Sequence, residues 1–203
     1  MKTTPNPSIF RTFQFVLLLV LFTSACGQSE KPNVSSVQLT NQEQSSKNEI
    51  IETPKEDIHM AIISGHYDVV KQHIESGTDL NRKEQMSGST PLLTAITFNK
   101  PKMAKMLIDA GTDLSIKNND GSTALHNAAF FCRMDMVKML LDAGADKTAK
   151  NQYGMTPRDL VLADYNDMKP VYEMVSLQLK PMGFTLDLEE VQKARPVVAM
   201  MLE

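Results

Sequence analysis

The sequence has no tryptophan, only two cysteines and 6% aromatic residues among its 203 amino acids. Its formal net charge is −3, and this absence of basic excess argues against a nucleic-acid-binding surface. Common catalytic signatures are also missing, since there is no His-Glu-x-x-His, no Gly-x-Ser-x-Gly and no phosphate-cradling glycine loop. We therefore expect a protein that is not an enzyme and that uses no cofactor.

An apolar run lies near the N-terminus, where residues 13–22 follow the basic Lys2 and Arg11. The run is too short to span a bilayer comfortably, and small residues lead from it to Cys26. Residues 1–25 therefore resemble a bacterial lipoprotein signal peptide, which implies cleavage before a Cys26 whose sulfur carries diacylglycerol. Thr23 replaces the leucine that is usual in this motif, so an uncleaved anchor and an ordinary cleaved signal stay open as alternatives.

A lipidated Cys26 implies a protein held on the periplasmic face of the bacterial cell envelope. Gly27, in place of aspartate, resembles lipoproteins that are sent to the outer membrane of Gram-negative cells. The mature chain would have a single free thiol, Cys132, and therefore no intramolecular disulfide. Residues 26–52 are polar and predict a flexible tether with a reach of roughly 25 to 30 Å.

A period of 33 residues organises the rest of the chain, because a Gly-Ser/Met-Thr step recurs at residues 88–90, 121–123 and 154–156. A glycine that precedes an aspartate by two residues keeps nearly the same period, at Gly77, Gly111 and Gly144. A fixed period of this length predicts a solenoid of stacked supersecondary units.

The best copy of the repeat spans residues 120–152 and predicts two short helices. Thr123 is a suitable N-cap for the first helix. The second helix places one apolar stripe toward the core, formed by Met136, Val137, Leu140 and Leu141. Gly144 then provides the left-handed C-cap, and the polar residues 145–154 that follow predict a projecting, hairpin-like finger.

Two motifs in this copy, Asp-Gly-x-Thr-Ala-Leu-His-x-Ala-Ala and Val-x-x-Leu-Leu-x-x-Gly-Ala-Asp, resemble the ankyrin repeat, and the likeness covers roughly residues 54–165. The resemblance implies an all-α solenoid of about four helix-turn-helix repeats with a C-terminal helical cap. It also implies a stack that binds other proteins and performs no chemistry. The repeats are placed at residues 53–85, 86–119 and 120–152, with a degenerate fourth repeat and the cap in residues 153–203.

Local signals set further boundaries. Thr53 is an N-cap candidate for the first helix, because proline follows it at the first helical position. Pro170 predicts the start of a helix that runs to about Leu179. A last helix is expected after Asp187, with a kink or break at Pro196.

The histidines His59, His66 and His73 are seven residues apart, which raises the question of a metal site. Their repeat positions place them on different faces of a helix pair, so we expect no metal. His59 and His126 occupy a slot in which the ring in this family resembles a brace bonded to the backbone. Cys132 is expected to be a small buried thiol, because no neighbour clearly lowers its pKa.

In ankyrin arrays the finger tips and the end of each first helix line one concave face. The resemblance therefore implies an aromatic partner-binding patch at Phe98, Phe130 and Phe131. Finger residues would complete the patch, namely Met86, Ser89, Asn119, Ser122, Tyr153 and Met155. For each phenylalanine, burial beneath the next helix is the alternative.

The features together predict a monomeric, membrane-tethered periplasmic lipoprotein that binds a partner protein. Some bacterial lipoproteins of this layout resemble immunity proteins, so an inhibitor of a secreted effector is the first hypothesis. The alternative is an accessory or envelope-organising protein without a dedicated inhibitory target.

Overall fold

A computed structural model describes residues 52–203. The predicted signal peptide, Cys26 and the tether up to residue 51 lie outside the described residues. Nine α-helices and one 3-10 helix make up the described part of the chain. They are α1 (Ile58–Ser64), α2 (Tyr67–Glu75), α3 (Pro91–Thr97), α4 (Pro101–Asp109), α5 (Ala124–Phe130), α6 (Met134–Asp142), α7 (Pro157–Leu162), α8 (Tyr165–Leu179), the 3-10 helix Lys180–Met182 and α9 (Leu188–Met201).

The helices form two parallel rows. An inner row contains α1, α3, α5 and α7, each packed on the next, and an outer row contains α2, α4, α6 and α9 in the same order. Each inner helix also packs on one outer helix, so the described chain is a stack of four helix pairs. None of these helices combines the length and the apolar character that crossing a bilayer requires.

Threonine caps open three of the four inner helices, as the repeat pattern predicts. Thr90, Thr123 and Thr156 are the N-cap residues of α3, α5 and α7, and proline occupies the first position of α3 and α7. Proline is harmless there because the first N–H groups of a helix have no intrahelical acceptor. The local signals and the fold therefore agree at the start of these three helices.

Alanines allow the inner helices to approach closely. Ala61, Ala95 and Ala128 occupy matching repeat positions, and each is completely buried. The outer helices contribute larger core residues, including Leu107 and Leu140. Burial of such apolar surface stabilises the stack by roughly 25 cal/mol for each Å² removed from water.

The fourth helix pair differs from the others between its two helices. In the first pair only Gly65 and His66 separate the helices, whereas residues 163–187 separate α7 from α9. We call residues 163–187 the insertion. It contains α8 and the 3-10 helix, and the chain then returns to place α9 in the outer row beside α6 and α7. The C-terminal segment therefore completes a fourth repeat as well as closing the stack.

Three predicted helix boundaries differ from the structure. The first helix begins at Ile58, because the Asp57 side chain accepts hydrogen bonds from the backbone of His59 and Met60 and caps it there, not at Thr53. Helix α8 begins before Pro170 and includes it, since Asp164 caps the helix by accepting from Asn166. Helix α9 continues through Pro196 to Met201 without a break.

Candidate partner-binding site

The three helix-end phenylalanines do not form the exposed patch that the sequence analysis predicts. Phe131 is only 5% exposed, and Phe98 and Phe130 are half-buried. Phe184 from the insertion lies 5.4 Å from the Phe131 ring and 6.1 Å from the Phe98 ring, measured between centroids. The prediction that Phe131 is an exposed anchor is therefore wrong, because the chain's own insertion covers it.

Helix α8, which is part of the insertion, covers Phe130 in the same way. The Tyr172 ring lies 4.5 Å from the ring of Phe130, and Tyr172 is fully buried. The sequence contains a signal for this packing that the repeat pattern does not include. Tyr165, Tyr172 and Phe184 stand in the segment that departs from the repeat pattern, and aromatic side chains there require an apolar surface to cover.

Arg195 fastens the insertion to α9. It is only 5% exposed, and its guanidinium donates to the Tyr172 hydroxyl at 2.9 Å and to the backbone carbonyl of Ala163. Its charged group also lies 5.9 Å from the centre of the Tyr165 ring. Burial raises the pKa of Tyr172 to about 12, so its hydroxyl stays protonated at neutral pH. Among residues 52–203 no carboxylate pairs with Arg195, and these contacts stabilise the buried cation instead.

The finger tips are open, and one side chain in each turn holds their shape. In the first finger the Glu84 carboxylate accepts from the backbone N–H groups of Met86, Ser87 and Ser89. Asn118 and Asn151 take this role in the next two fingers, where their side-chain oxygens accept from the residues that follow. Each finger is therefore fixed before any partner binds.

Backbone hydrogen bonds join neighbouring fingers. Asn119 donates to the carbonyl of Ser87 at 2.9 Å, and Gln152 donates to the carbonyl of Asp120 at 3.1 Å. The Asn119 side chain also donates to the carbonyl of Met86 at 3.1 Å. The fingers consequently form one continuous, semi-rigid surface.

The predicted finger residues differ in exposure. Met86 is 86% exposed and Asn119 is exposed, whereas Ser89, Tyr153 and Met155 are half-buried. Ser122 is only 8% exposed, because it follows the turn into the buried start of α5. Its side chain is therefore not available to a partner, and that part of the prediction is wrong. The open residues of the predicted site lie on the fingers and not at the helix ends.

The His126 ring connects the start of α5 to the third finger. Its Nδ1 accepts from the backbone N–H of Thr123 at 3.2 Å, and its Nε2 donates to the carbonyl of Met155 at 3.1 Å. Burial is the largest effect on this ring and lowers the pKa of His126. Burial likewise lowers the pKa of His59, whose Nδ1 lies 2.8 Å from the Thr94 hydroxyl. The His126 ring therefore bonds to the backbone as the resemblance implies, and the His59 ring bonds to the Thr94 hydroxyl of the next repeat.

The other two histidines hold the segment before α1. His73, only 4% exposed, donates from Nε2 to the carbonyl of Glu56 at 2.8 Å, while the His66 Nδ1 lies 2.9 Å from the Glu56 carboxylate. The side chain of Gln72 donates to the carbonyl of Glu52 at 3.0 Å. Within residues 52–203 no three His, Cys, Asp or Glu side chains are grouped so that they could hold a metal ion.

Cys132 lies in the corner between α5 and α6, where the backbone has a positive φ of 52°. Its thiol is buried, and burial raises its pKa to about 11. The charges of Arg195 and Arg133 act in the opposite direction but do not prevail. A thiol with this pKa is almost entirely protonated at neutral pH and is a poor nucleophile.

A stack of helix pairs with a row of projecting fingers defines a helical solenoid of the protein-binding class. Residues 58–151 match the family described as ankyrin repeats, in three copies. The chain therefore contains an ankyrin-repeat array, and the predicted all-helical ankyrin solenoid is confirmed.

Several curated proteins are similar to parts of this array. A human protein phosphatase 1 regulatory subunit 27 is 33% identical over 63 residues, which is 31% of this chain. An ankyrin repeat-containing protein of Schizosaccharomyces pombe is 31% identical over 68 residues, or 34% of this chain. A fowlpox virus ankyrin repeat protein is 39% identical over 56 residues, or 28% of this chain. The match spans 40%, 32% and 13% of these relatives' own lengths, respectively.

Among solved structures, the ankyrin repeat domain of Bcl-3 is similar, with a TM-score of 0.49 and 29% sequence identity. The likeness covers 51% of this chain and 45% of that chain.

Proposed function

We propose that this protein is a non-enzymatic binding module that holds a partner protein through its fingers. The observation that carries the proposal is the open finger surface, which hydrogen bonds join into one continuous surface and which presents side chains that the stack does not need. Met86, for example, is 86% exposed and is not part of the apolar core. Exposed methionines suit adaptable protein contacts because the side chain is apolar and flexible.

The human relative supports a partner-binding role, since it is named as the regulatory subunit of a phosphatase. The helix ends contribute little to our proposed interface, because the insertion already covers them. The surface we propose therefore comprises the exposed residues of the fingers, with Tyr153 and Met155 at its edge.

We further propose that Cys26 carries a lipid anchor and that the array lies on the periplasmic side of a bacterial envelope, at the outer membrane in a Gram-negative cell. The support is the order of basic residues, apolar run, small residues and Cys26 in the sequence. In that location a monomeric binding module could inhibit a secreted effector as an immunity protein. We favour this role because a tethered array needs no chemistry to block an active site.

The first test is affinity capture with the full chain from native envelopes and from secretions of neighbouring cells, followed by mass spectrometry. An inhibitor returns one dominant, stoichiometric partner whose activity falls as the array is added. A Met86→Ser variant should lose capture, while the matched control Met200→Ser, 62% exposed on α9, should retain it. A diffuse set of envelope proteins without saturable binding would favour an envelope organiser.

The anchor is tested separately by fractionating cells that express Cys26→Ser. We expect this variant to leave the membrane fraction, while Cys132→Ala, which removes the other cysteine, stays there. Continued membrane association of Cys26→Ser would refute lipidation at this position.

A further inference from the structure

Two columns of lysines run along the array, one on the outer helices and one on the fingers. The outer-helix lysine column consists of Lys71, Lys105 and Lys138, and the finger lysine column consists of Lys83, Lys117 and Lys150. Both columns contain one lysine from each successive repeat, with the same two intervals along the chain. They differ in what surrounds the ammonium groups.

The outer-helix lysines are neutralised within their own helices. Lys71 pairs with Glu75 at 3.5 Å, and Lys105 pairs with Asp109 at 2.8 Å. Lys138 makes the same four-residue pair with Asp142 at 2.6 Å. This face of the array therefore presents alternating charges that cancel locally.

The finger lysines form no ion pair within residues 52–203, and all three are exposed. The Lys117 Nζ donates to the backbone carbonyl of Lys150 in the next finger at 2.9 Å. Lys150 contributes to lowering the pKa of Asp159, but hydrogen bonds from Thr156 are the larger cause, and the two side chains do not pair. The column consequently keeps its positive charge.

Carboxylates do lie on the fingers, and Glu84, Asp113 and Asp146 are engaged in holding the turns. Asp120 differs, because its carboxylate accepts from the Gln152 side chain of the next finger at 3.4 Å. Glu84 accepts from three backbone N–H groups, as described above, and Asp113 accepts from the backbone and hydroxyl of Ser115 at 2.8 and 2.6 Å. Asp146 makes the matching bonds to Thr148 at 2.8 and 2.7 Å. Hydrogen bonds from Ser115 and Thr148 lower the pKa of Asp113 and Asp146, so both stay ionised and bound to their own turns.

The spacing of the column matches an extended peptide. Neighbouring packed helices lie about 8 to 10 Å apart, so lysines that recur once per repeat are separated by a similar distance. A polyproline II chain advances about 3.1 Å per residue with three residues per turn, so every third side chain returns to the same face after about 9 Å. A segment with a carboxylate at every third residue can meet all three lysines.

From these observations we propose that the finger lysine column binds an extended acidic segment of the partner protein. The inference rests on the proposed function, because it names the chemistry of the surface that the fingers hold.

The test uses the purified full chain and two triple variants. One neutralises the fingers (Lys83→Gln, Lys117→Gln and Lys150→Gln), and the matched control neutralises the outer helices (Lys71→Gln, Lys105→Gln and Lys138→Gln). Both variants lose three positive charges from the same three repeats. Circular dichroism establishes that each variant keeps its helical content.

The probe is a fluorescein-labelled peptide with glutamate at every third position and glycine or serine between, followed by fluorescence anisotropy at low salt. We expect the finger variant to bind it about tenfold more weakly than the wild type, and the outer-helix control to change by less than about twofold. A peptide with glutamine in place of glutamate should not bind. Equal losses in the two triple variants would show an effect of net charge alone and would overturn the proposal.

Vesicles of equal parts phosphatidylcholine and phosphatidylglycerol distinguish a lipid surface from an acidic protein. Binding to these vesicles that requires the finger lysines, without binding to the peptide, would assign the column to anionic headgroups and overturn our inference. If affinity capture returns no partner but the peptide results are as expected, the proposed function fails while the acidic specificity of the fingers stands. If capture is unaffected by the finger variant and the peptide does not bind, the inference alone fails.

Discussion

The third and fourth repeats differ in the length of the segment that connects the inner helix to the outer helix. In the third repeat the corner between the inner and outer helices is residues 131–133, whereas in the fourth repeat it is the whole insertion, residues 163–187. Both repeats nevertheless place one helix in each row. The stack therefore requires one helix in each row, and it tolerates a long connection between the two helices. Extending a surface loop adds little to the entropic cost of closing it.

The insertion also affects the packing of the third repeat. The insertion places Tyr172 and Phe184 over Phe130 and Phe131, so the fourth repeat completes the core of its neighbour. The segment predicted as a degenerate fourth repeat and cap therefore also determines which surface stays open. The fingers stay available, and the helix ends do not.

Replacing Phe131 by alanine is expected to produce the largest effect. The side chain is 5% exposed and packs on Phe130 and Phe184, so its removal leaves a cavity at the point where the third repeat meets the insertion. We expect the free energy of unfolding to fall by about 3 to 5 kcal/mol, measured by urea denaturation. Met86→Ala is the control and should change it by less than about 0.5 kcal/mol. A similarly small change for Phe131→Ala would show that the insertion does not cover this residue.

The attachment of the insertion can be weakened without a cavity by Tyr172→Phe. This change removes the hydroxyl that accepts from Arg195 at 2.9 Å and leaves one N–H group of a buried cation without its partner. We expect the free energy of unfolding to fall by about 2 kcal/mol. Relative to the wild type, amide exchange should accelerate more in α8 than in α5. Tyr67→Phe alters a tyrosine that is 43% exposed and should leave both measurements unchanged. Uniform exchange across all helices would argue against a separately attached insertion.

Acidification tests the histidine brace. The pKa of His126 is lowered in the fold by burial, so the unfolded chain binds a proton more readily than the folded chain below its ordinary pKa of about 6.5. The stability contributed by neutral His126 is present above about pH 6.5. It is lost as the pH falls through the lowered pKa of His126 in the folded state. We expect the loss to be at most about 1.4 kcal/mol for each unit by which that pKa is lowered.

A His126→Gln variant should show a smaller fall in stability between pH 7 and 5 than the wild type, measured by urea denaturation at each pH. His59 keeps part of the dependence, because burial lowers its pKa as well. An unchanged pH profile in the variant would contradict the assignment of this role to His126.

The smallest expected effect concerns the corners of the repeats. Gly65, Asn99 and Cys132 occupy matching positions, and all have a positive φ, at 82°, 53° and 52° respectively. An L-residue in this left-handed region is strained, although asparagine tolerates it better than most. Asn99→Gly should therefore stabilise the array by about 0.5 kcal/mol, observed as a higher melting temperature. Gly65→Ala should destabilise the array. Stabilisation by both substitutions would disprove a strained corner.

The sequence was informative where a local signal repeats. Threonine caps, left-handed glycines and apolar stripes recur once per period, and each acts over a few residues, so the helix pairs could be predicted without any long-range information. Prolines were less reliable guides. Pro170 and Pro196 both lie inside helices, because packing of Tyr172 and Val198 into the core outweighs the loss of one backbone hydrogen bond.

The candidate site could be predicted only in part, because the exposure of a side chain depends on which segment packs against it. Met86 is open as expected, since the next finger hydrogen-bonds to its backbone carbonyl and leaves its side chain exposed. Phe131 is buried because Phe184, more than fifty residues away in the chain, lies against it. The finger lysine column shows the same limit, since its period is visible in the sequence but the engagement of the nearby carboxylates is not.

The sequence by itself therefore determined the repeat, the helix pairs and the fingers between them, because caps and short-range periodicity specify these locally. Only the tertiary structure decided that residues 163–187 interrupt a complete fourth repeat, and that this insertion covers the aromatic helix ends. The physical reason is that burial is a property of two surfaces in contact, and the pattern on one of them does not identify the other.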